Sequence, residues 1–392
     1  MNKQQLAKAT TLAFGNASFA FALHKTIAKS EGNLFYSPFS ISSALAMTYA
    51  GAKGKTEKEM EQVLQFGAAP AELHPTFAAL LGELSSNEDY KLVIANRLWG
   101  EQSYPFRATF LDLTREYYDG GFVPVDFKTE SKAARGKINT WVEEKTNKKI
   151  TDLIPAGLLD SLTRLVLTNA IHFKGSWADQ FDEHATRPMS FELSPKKQIK
   201  TSMMFKTAQF RYAQKDGVQL LELPYKGGRL SMVLLMPVER HQLAQVEAKL
   251  EPKMMSQWNG ALTRQEVEIQ IPKLKITAKL SLKKVLQEMG MKTAFSPNEA
   301  DFTGMSNLPK DSAEELYIAE VLHKAFVEVN EEGTEAAAAT AVVMKARGVA
   351  KPRHVRFIAD QPFLFLIRDR KTSSVLFVGR VVDPTGSVSV VE

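Results

Sequence analysis

The side chains that most often carry catalysis are poorly placed for it in this chain. Its seven histidines are His24, His74, His172, His184, His241, His323 and His354. No two of them stand at i, i+4 with an intervening glutamate, the spacing that puts two zinc ligands and a general base on one helix face. There is no cysteine, which removes thiol nucleophiles, thiolate metal ligands and disulfides together. A Gly-x-Ser-x-Gly elbow for a hydrolase serine is absent, although a triad assembled from distant residues stays open. Gly54, Lys55 and Thr56 match the end of a phosphate-binding loop, but that loop needs a glycine five positions earlier, where Tyr49 stands. A turn between two helices is the expectation there, and neither a metal nor a cofactor is expected.

A different kind of chemistry is suggested near the end of the chain. Glu331, Glu332, Gly333, Thr334, Glu335 and the four alanines Ala336, Ala337, Ala338 and Ala339 lead into Thr340, Ala341, Val342 and Val343. Met344, Lys345, Ala346, Arg347 and Gly348 follow. Alanines favour a helix, but the run is short and flanked by Gly333 and β-branched residues, so it is committed to neither state. As a strand it would present Thr334, Ala336, Ala338, Thr340 and Val342 on one face. Those small side chains could pass between two existing strands without overpacking, with Gly333 as a permissive hinge. On composition alone, an alanine-rich helix or a surface loop is the more ordinary reading.

The elements that must position this segment divide into helices first and strands later. Apolar spacing predicts helices over Leu6–Ala28, Ser40–Ala50, Glu57–Leu64 and Pro70–Leu84. Leu92–Ile94 and Leu165–Leu167 read as buried strands. Ser131–Leu153 is amphipathic, with Ile138, Trp141, Val142 and Ile150 against many lysines, and reads as one surface helix. Strands are expected at Gln219–Pro224, Leu230–Met236, Glu266–Lys275, Phe363–Ile367 and Ser374–Val381, with a helix over Lys279–Met289. Without regular alternation this is an α+β chain. Its 392 residues, 44% hydrophobic, show no linker, so one domain over 1–392 is expected.

The formal charge of +6 is mild for this size and identifies no nucleic acid or other anionic partner. The basic helix around Arg135 is a weak polyanion candidate. No apolar stretch approaches the roughly 20 residues a membrane-spanning helix needs, so no membrane is expected as a partner. Met1–Thr10 lacks a secretory h-region, so the chain is expected either to be mature or to bypass that route. The sequon Asn16-Ala17-Ser18 falls inside a predicted helix and reads as chance.

The run Glu-Glu-Gly-Thr-Glu-Ala-Ala-Ala-Ala-Thr-Ala closely resembles the hinge of an inhibitory serpin's reactive-centre loop. Four further landmarks resemble the same family in order. They are Asn33–Ile41, Thr168–Trp177, Leu322–Ala325, and the pair Asp360–Phe365 with Phe377–Val381. The resemblance implies three β-sheets and about nine helices, with a reactive-centre loop at about 331–358. It also implies a main sheet that accepts the cleaved loop as an extra strand. A target protease would attack the loop, form an acyl-enzyme and be carried across the molecule before deacylation.

Counting in the family's manner from Glu331 places the scissile bond between Arg347 and Gly348. The bait is then suited to a trypsin-like serine protease with a carboxylate in its specificity pocket. Lys345 is an alternative bait of the same class, and Met344 would suit a chymotrypsin-like enzyme. Ser37, Ser40, Asn169 and His323 match the shutter under the sheet, and Trp177 matches the breach where insertion begins. Static satisfaction of buried groups is the plainer reading of those positions. The resemblance implies a monomer that is not an enzyme, with an extracellular setting favoured and a cytoplasmic one compatible. The region matching the heparin-binding helix of some members, Pro70–Ser86, holds no lysine or arginine. A non-inhibitory carrier, chaperone or storage serpin, or an inhibitor of cysteine proteases, is the alternative.

Overall fold

The structure is a computed structural model. It describes all residues except 86, 119–120, 309–311, 313, 335–354, 387 and 392, and of 388–391 the backbone only. Met344, Lys345, Arg347, Gly348 and the alanines 336–339 therefore lie outside the described residues.

Local signals account for the helix starts. Asn2 and Gln5 form a reciprocal capping box at the head of helix Lys3–Ile27. Ser37 caps helix Pro38–Tyr49, its hydroxyl accepting from the Ser40 N–H, with Pro38 in the first turn. Gly54, Lys55 and Thr56 open helix Gly54–Leu64 after a short turn, and Pro70–Ser85 follows. Helix Ala108–Tyr117 and the helices Leu243–Ala248 and Pro252–Ala261 had no clear signal in the sequence reading. Nine α-helices are present among the described residues.

A seven-stranded main sheet runs in the order Val388–Val391, Leu274–Ser281, Leu322–Val329, Gly333–Thr334, Leu165–Ser176, Tyr90–Glu101 and Phe122–Val125. The remaining strands join into one nine-stranded system through the 19-residue strand Lys197–Lys215. One end of that strand pairs with Arg187–Ser194 and the other with Val218–Pro224. Thr263–Pro272 lies along its middle and links to Val355–Ile358. Two of the three sheets expected for the fold are thus continuous through a shared strand. The strand Leu165–Ser176 is buried over most of its length, with helix Ser131–Lys145 packed on one face and helix Pro38–Tyr49 against the other.

Three boundaries differ from the sequence reading. The expected helix 131–153 ends at Lys145, since Asn147 and Lys148 take left-handed backbone angles of 50° and 60° that no helix continues through. Ile138 and Val142 on that helix still pack with Trp99 and Phe326 in a small core of their own on the main sheet. The expected strand 266–275 is two strands, Thr263–Pro272 and Leu274–Ser281, split at Pro272, which cannot donate to a ladder. The expected helix 279–289 shrinks to Lys283–Glu288 because its first residues belong to the second strand.

Candidate functional site

The site lies where the main sheet changes its pairing. Over Leu322–Phe326 the strand Leu322–Val329 runs parallel to Leu165–Ser176 and is bonded to it directly, from Leu322 opposite Thr168 to Phe326 opposite His172. Beyond that point the two strands part. Gly333–Thr334 sits between them, antiparallel to both, with Thr334 opposite Val329 on one side and Gly175 on the other. Two parallel strands can share an antiparallel strand between them without either reversing direction, so the sheet already holds the first residues of a possible insertion.

Trp177, Tyr225 and Thr334 build the top of this wedge. The Trp177 indole N–H donates to the Asn330 carbonyl at 3.0 Å, and its backbone N–H donates to the Glu332 carbonyl at 2.8 Å. Its ring stacks on Tyr225 at 4.7 Å between centroids and 14° between planes. The Tyr225 hydroxyl and the Thr334 hydroxyl are 2.7 Å apart and fully buried, and burial pushes the Tyr225 phenol far above its ordinary range. Thr334 therefore points into the molecule, and residues at even spacing after it would share that face in an extended strand.

Gly333 is required by space. A Cβ there would stand 2.1 Å from the Gly175 carbonyl oxygen. The Asn330 side chain closes the turn before it, accepting from the Glu332 and Gly333 N–H groups at 3.1 Å each.

Two carboxylates flank the hinge in opposite electrostatic states. Glu331 is buried, which raises its pKa, but the Lys273 ammonium at 2.8 Å and the Thr186 hydroxyl at 2.7 Å more than offset this, and the carboxyl is held below its ordinary value. Glu332 is raised, first by desolvation and then by repulsion from Glu183 and Glu331, with Lys174 opposing.

Four of the sequence-predicted residues come together about halfway down the same pair of strands. Asn96, Asn169 and His323 stand opposite one another on three adjacent strands. The Ser37 backbone N–H donates to His323 Nε2 at 3.0 Å, which forces that nitrogen to be the acceptor and places the ring proton on Nδ1, bonded to Asn169 Oδ1. The ring is neutral: complete burial lowers its pKa to about 3. The Asn169 amide donates to the Ser40 carbonyl at 2.7 Å, the Ser40 hydroxyl at 2.8 Å and Asn96 Oδ1 at 2.8 Å. Ser37 Oγ donates to the Leu376 carbonyl at 2.6 Å. These bonds tie the cap of helix Pro38–Tyr49 to the strands above it.

The sequence reading missed Asn96, Ser43, Lys273, Thr186 and Tyr225. Asn96 also donates to Ser43 Oγ at 2.8 Å. A polar Asn96 closing the apolar run Leu92–Ala95 was the one readable signal. Elsewhere, helix Ser131–Lys145 carries Lys132, Arg135 and Lys137 in its first half and Glu143 and Glu144 near its end, so no wholly basic stripe runs its length. Asn16 of the sequon is buried. Among the described residues no cluster suited to a metal ion is found and no helix is long and apolar enough to cross a membrane.

Comparison with known proteins agrees with this geometry. Residues 14–384 match the model of the family "Serpin (serine protease inhibitor)". The chain belongs to the serpin family. Serpin B6 of Pongo abelii is 42% identical, covering 95% of this serpin and 99% of its own length. Leukocyte elastase inhibitor of Xenopus tropicalis is 40% identical over 93% and 97% respectively. Among solved structures, human thyroxine-binding globulin complexed with thyroxine superposes with a TM-score of 0.86 at 31% identity, covering 97% of this chain and 100% of that one. The relatives lend no support to the extracellular expectation.

Proposed function

We propose that this serpin is a monomeric suicide inhibitor of a trypsin-like serine protease, cleaved after Arg347 and closed by insertion of its loop into the main sheet. The observation that carries the reading is the wedge at Gly333–Thr334. Continuing its register two residues at a time sets Ala336 between Phe173 and Val327, Ala338 between Ile171 and Ala325, and Thr340 between Asn169 and His323. The inward face then carries only small side chains until Val342. The same register brings Arg347 past Leu165, the far end of its neighbour strand. Thirteen residues at ~3.3 Å each would set an attached protease roughly 40 Å down the sheet from Thr334.

Insertion would break the direct bonds between Leu322–Phe326 and Thr168–His172 and replace each row by two. Ordering the inserted residues costs about 1–2 kcal/mol each in backbone entropy, so the new hydrogen bonds, worth about 1 kcal/mol each, must be joined by burial of the loop's small apolar side chains. In this reading Trp177, Tyr225 and Glu331 form the breach, and Ser37, Ser40, Asn96, Asn169 and His323 the shutter. The chain supplies stored free energy and no catalytic group.

The name of the leukocyte elastase inhibitor relative favours a second bait, Met344, suited to a protease with an apolar pocket. Incubation with trypsin and, in parallel, with elastase and chymotrypsin decides, read by denaturing gel and by the mass of the released peptide. A complex near the summed masses with a peptide starting at Gly348 supports Arg347. A complex only with elastase or chymotrypsin, releasing a peptide that starts at Lys345, transfers the bait to Met344. Cleavage without a complex by all three rejects the inhibitory reading and leaves a carrier, as the thyroxine-binding neighbour is by name.

A further inference from the structure

The main sheet carries a strand that none of the sequence landmarks announced. After strand Val375–Val381 the chain turns and lays Val388–Val391 parallel to Thr277–Leu280. Strand Leu274–Ser281 is paired along its whole length with Leu322–Val329 on its other side, so Val388–Val391 is the outermost strand and occupies what would otherwise be the sheet's open edge.

The turn that delivers it is clamped by one buried side chain. Asn33 Oδ1 accepts from the Val382 and Asp383 N–H groups at 2.8 and 2.9 Å, and its Nδ2 donates to the Asp383 and Gly386 carbonyls at 2.7 and 3.0 Å. Asp383 in turn accepts from Thr385 N–H and Oγ1 at 2.8 and 2.7 Å. Asn33 thus uses its whole hydrogen-bonding capacity on this turn. The segment beyond it, Val-Ser-Val-Val, is uncharged and rich in β-branched residues, the composition that suits strand pairing.

We infer that residues 388–391 form a detachable edge strand and that the edge at Thr277–Leu280 is an acceptor site for an extended, uncharged, β-branched peptide. In cis its occupant is the chain's own segment; in trans it is the same segment of a second copy. Direct edge-to-edge pairing of two copies of Leu274–Ser281 is disfavoured by its own residues. Lys275 and Lys279 share the outward face, alternating with buried Leu274, Ile276, Ala278 and Leu280. Any antiparallel, face-matched pairing near the centre of that strand sets a lysine opposite or diagonal to a lysine. A neutral valine-rich segment meets no such repulsion. The inference does not depend on whether the chain inhibits a protease.

Its test uses a fluorescein-labelled peptide of residues 387–392 and anisotropy. A chain ending at Gly386 should capture the peptide saturably. The intact chain, whose own tethered segment competes at an effective concentration of about 1 mM, should bind it several-fold more weakly. A peptide with proline at positions 389 and 390, which cannot complete the ladder, should not be captured. The full-length Asn33→Ala variant should fall between the two chains and show a dimer fraction by light scattering that rises with concentration. No capture by a shortened chain that retains its circular dichroism and thermal transition overturns the inference. Should the shortened chain not fold, Asn33→Ala alone decides: capture no better than that of the intact chain also overturns it.

Discussion

The proposed breach and the proposed shutter sit on the same two strands and hold them in opposite ways. At the breach, Leu322–Val329 and Leu165–Ser176 are already parted by Gly333–Thr334, and what fills the gap is the loop's own backbone. At the shutter they are bonded to each other, and the Asn169–His323 contact is locked from below by Ser37 and Ser40. If the loop inserts as proposed, the difference locates the resistance: the entry is open and filtered by side-chain size, while the middle is closed and held by a buried hydrogen-bond network with a neutral histidine at its centre.

Enlarging the next inward residue after the wedge should have the largest effect. Ala336→Arg would bury an unpaired cation between Phe173 and Val327 in the proposed register, at a cost of several kcal/mol in the inserted state. The chain should then be cleaved normally by its target and form no covalent complex, read on a denaturing gel; an undiminished complex yield would mean that insertion does not use this face.

Breaking the closed middle should come next. Asn169→Ala leaves His323 Nδ1–H and the Ser40 groups without their partner, at about 1–3 kcal/mol. The prediction is a lower unfolding midpoint in denaturant, together with faster spontaneous loss of inhibitory activity on incubation.

The closed middle should also respond to pH. His323 has a folded pKa of about 3 against an ordinary value of 6.5, so the unfolded chain binds the extra proton first as pH falls. Its contribution to stability is full above pH 6.5 and is lost progressively down to about pH 3. His74, lowered to about 4 by burial, acts in the same direction. A pH series of denaturant midpoints should therefore slope downward below pH 6.5, and His323→Gln should flatten part of that slope.

The smallest effect is expected at Lys273. Its ammonium is partly exposed, so its pairing with Glu331 is worth about 1 kcal/mol or less. Lys273→Ala should lower stability slightly and speed complex formation modestly, by stopped-flow rate, because the hinge is less firmly held before cleavage.

Much of this site was legible in the sequence because its parts are local. Gly333, the small even-numbered residues and the Ser37-Pro38 helix start each declare a backbone requirement within a few residues. The resemblance of ordered landmarks then supplied their arrangement. What was not legible depends on register between distant strands: Asn96 meets Asn169 across 73 positions, and Lys273 meets Glu331 across 58. The end of helix Ser131–Lys145 was misread because its apolar spacing continues past the left-handed turn at Asn147 and Lys148. The edge strand Val388–Val391 was missed because four residues are too few for a periodic signal.

The central claim is that the cleaved loop enters between Leu165–Ser176 and Leu322–Val329 along its full length. A chain without cysteine permits clean placement of two spin labels, at Lys345→Cys and at the exposed Ser161→Cys. The extended register sets residue 345 three positions from 161, so cleavage after Arg347 should create a label separation within about 20 Å that is absent from the uncleaved chain. A distance distribution unchanged by cleavage would contradict insertion.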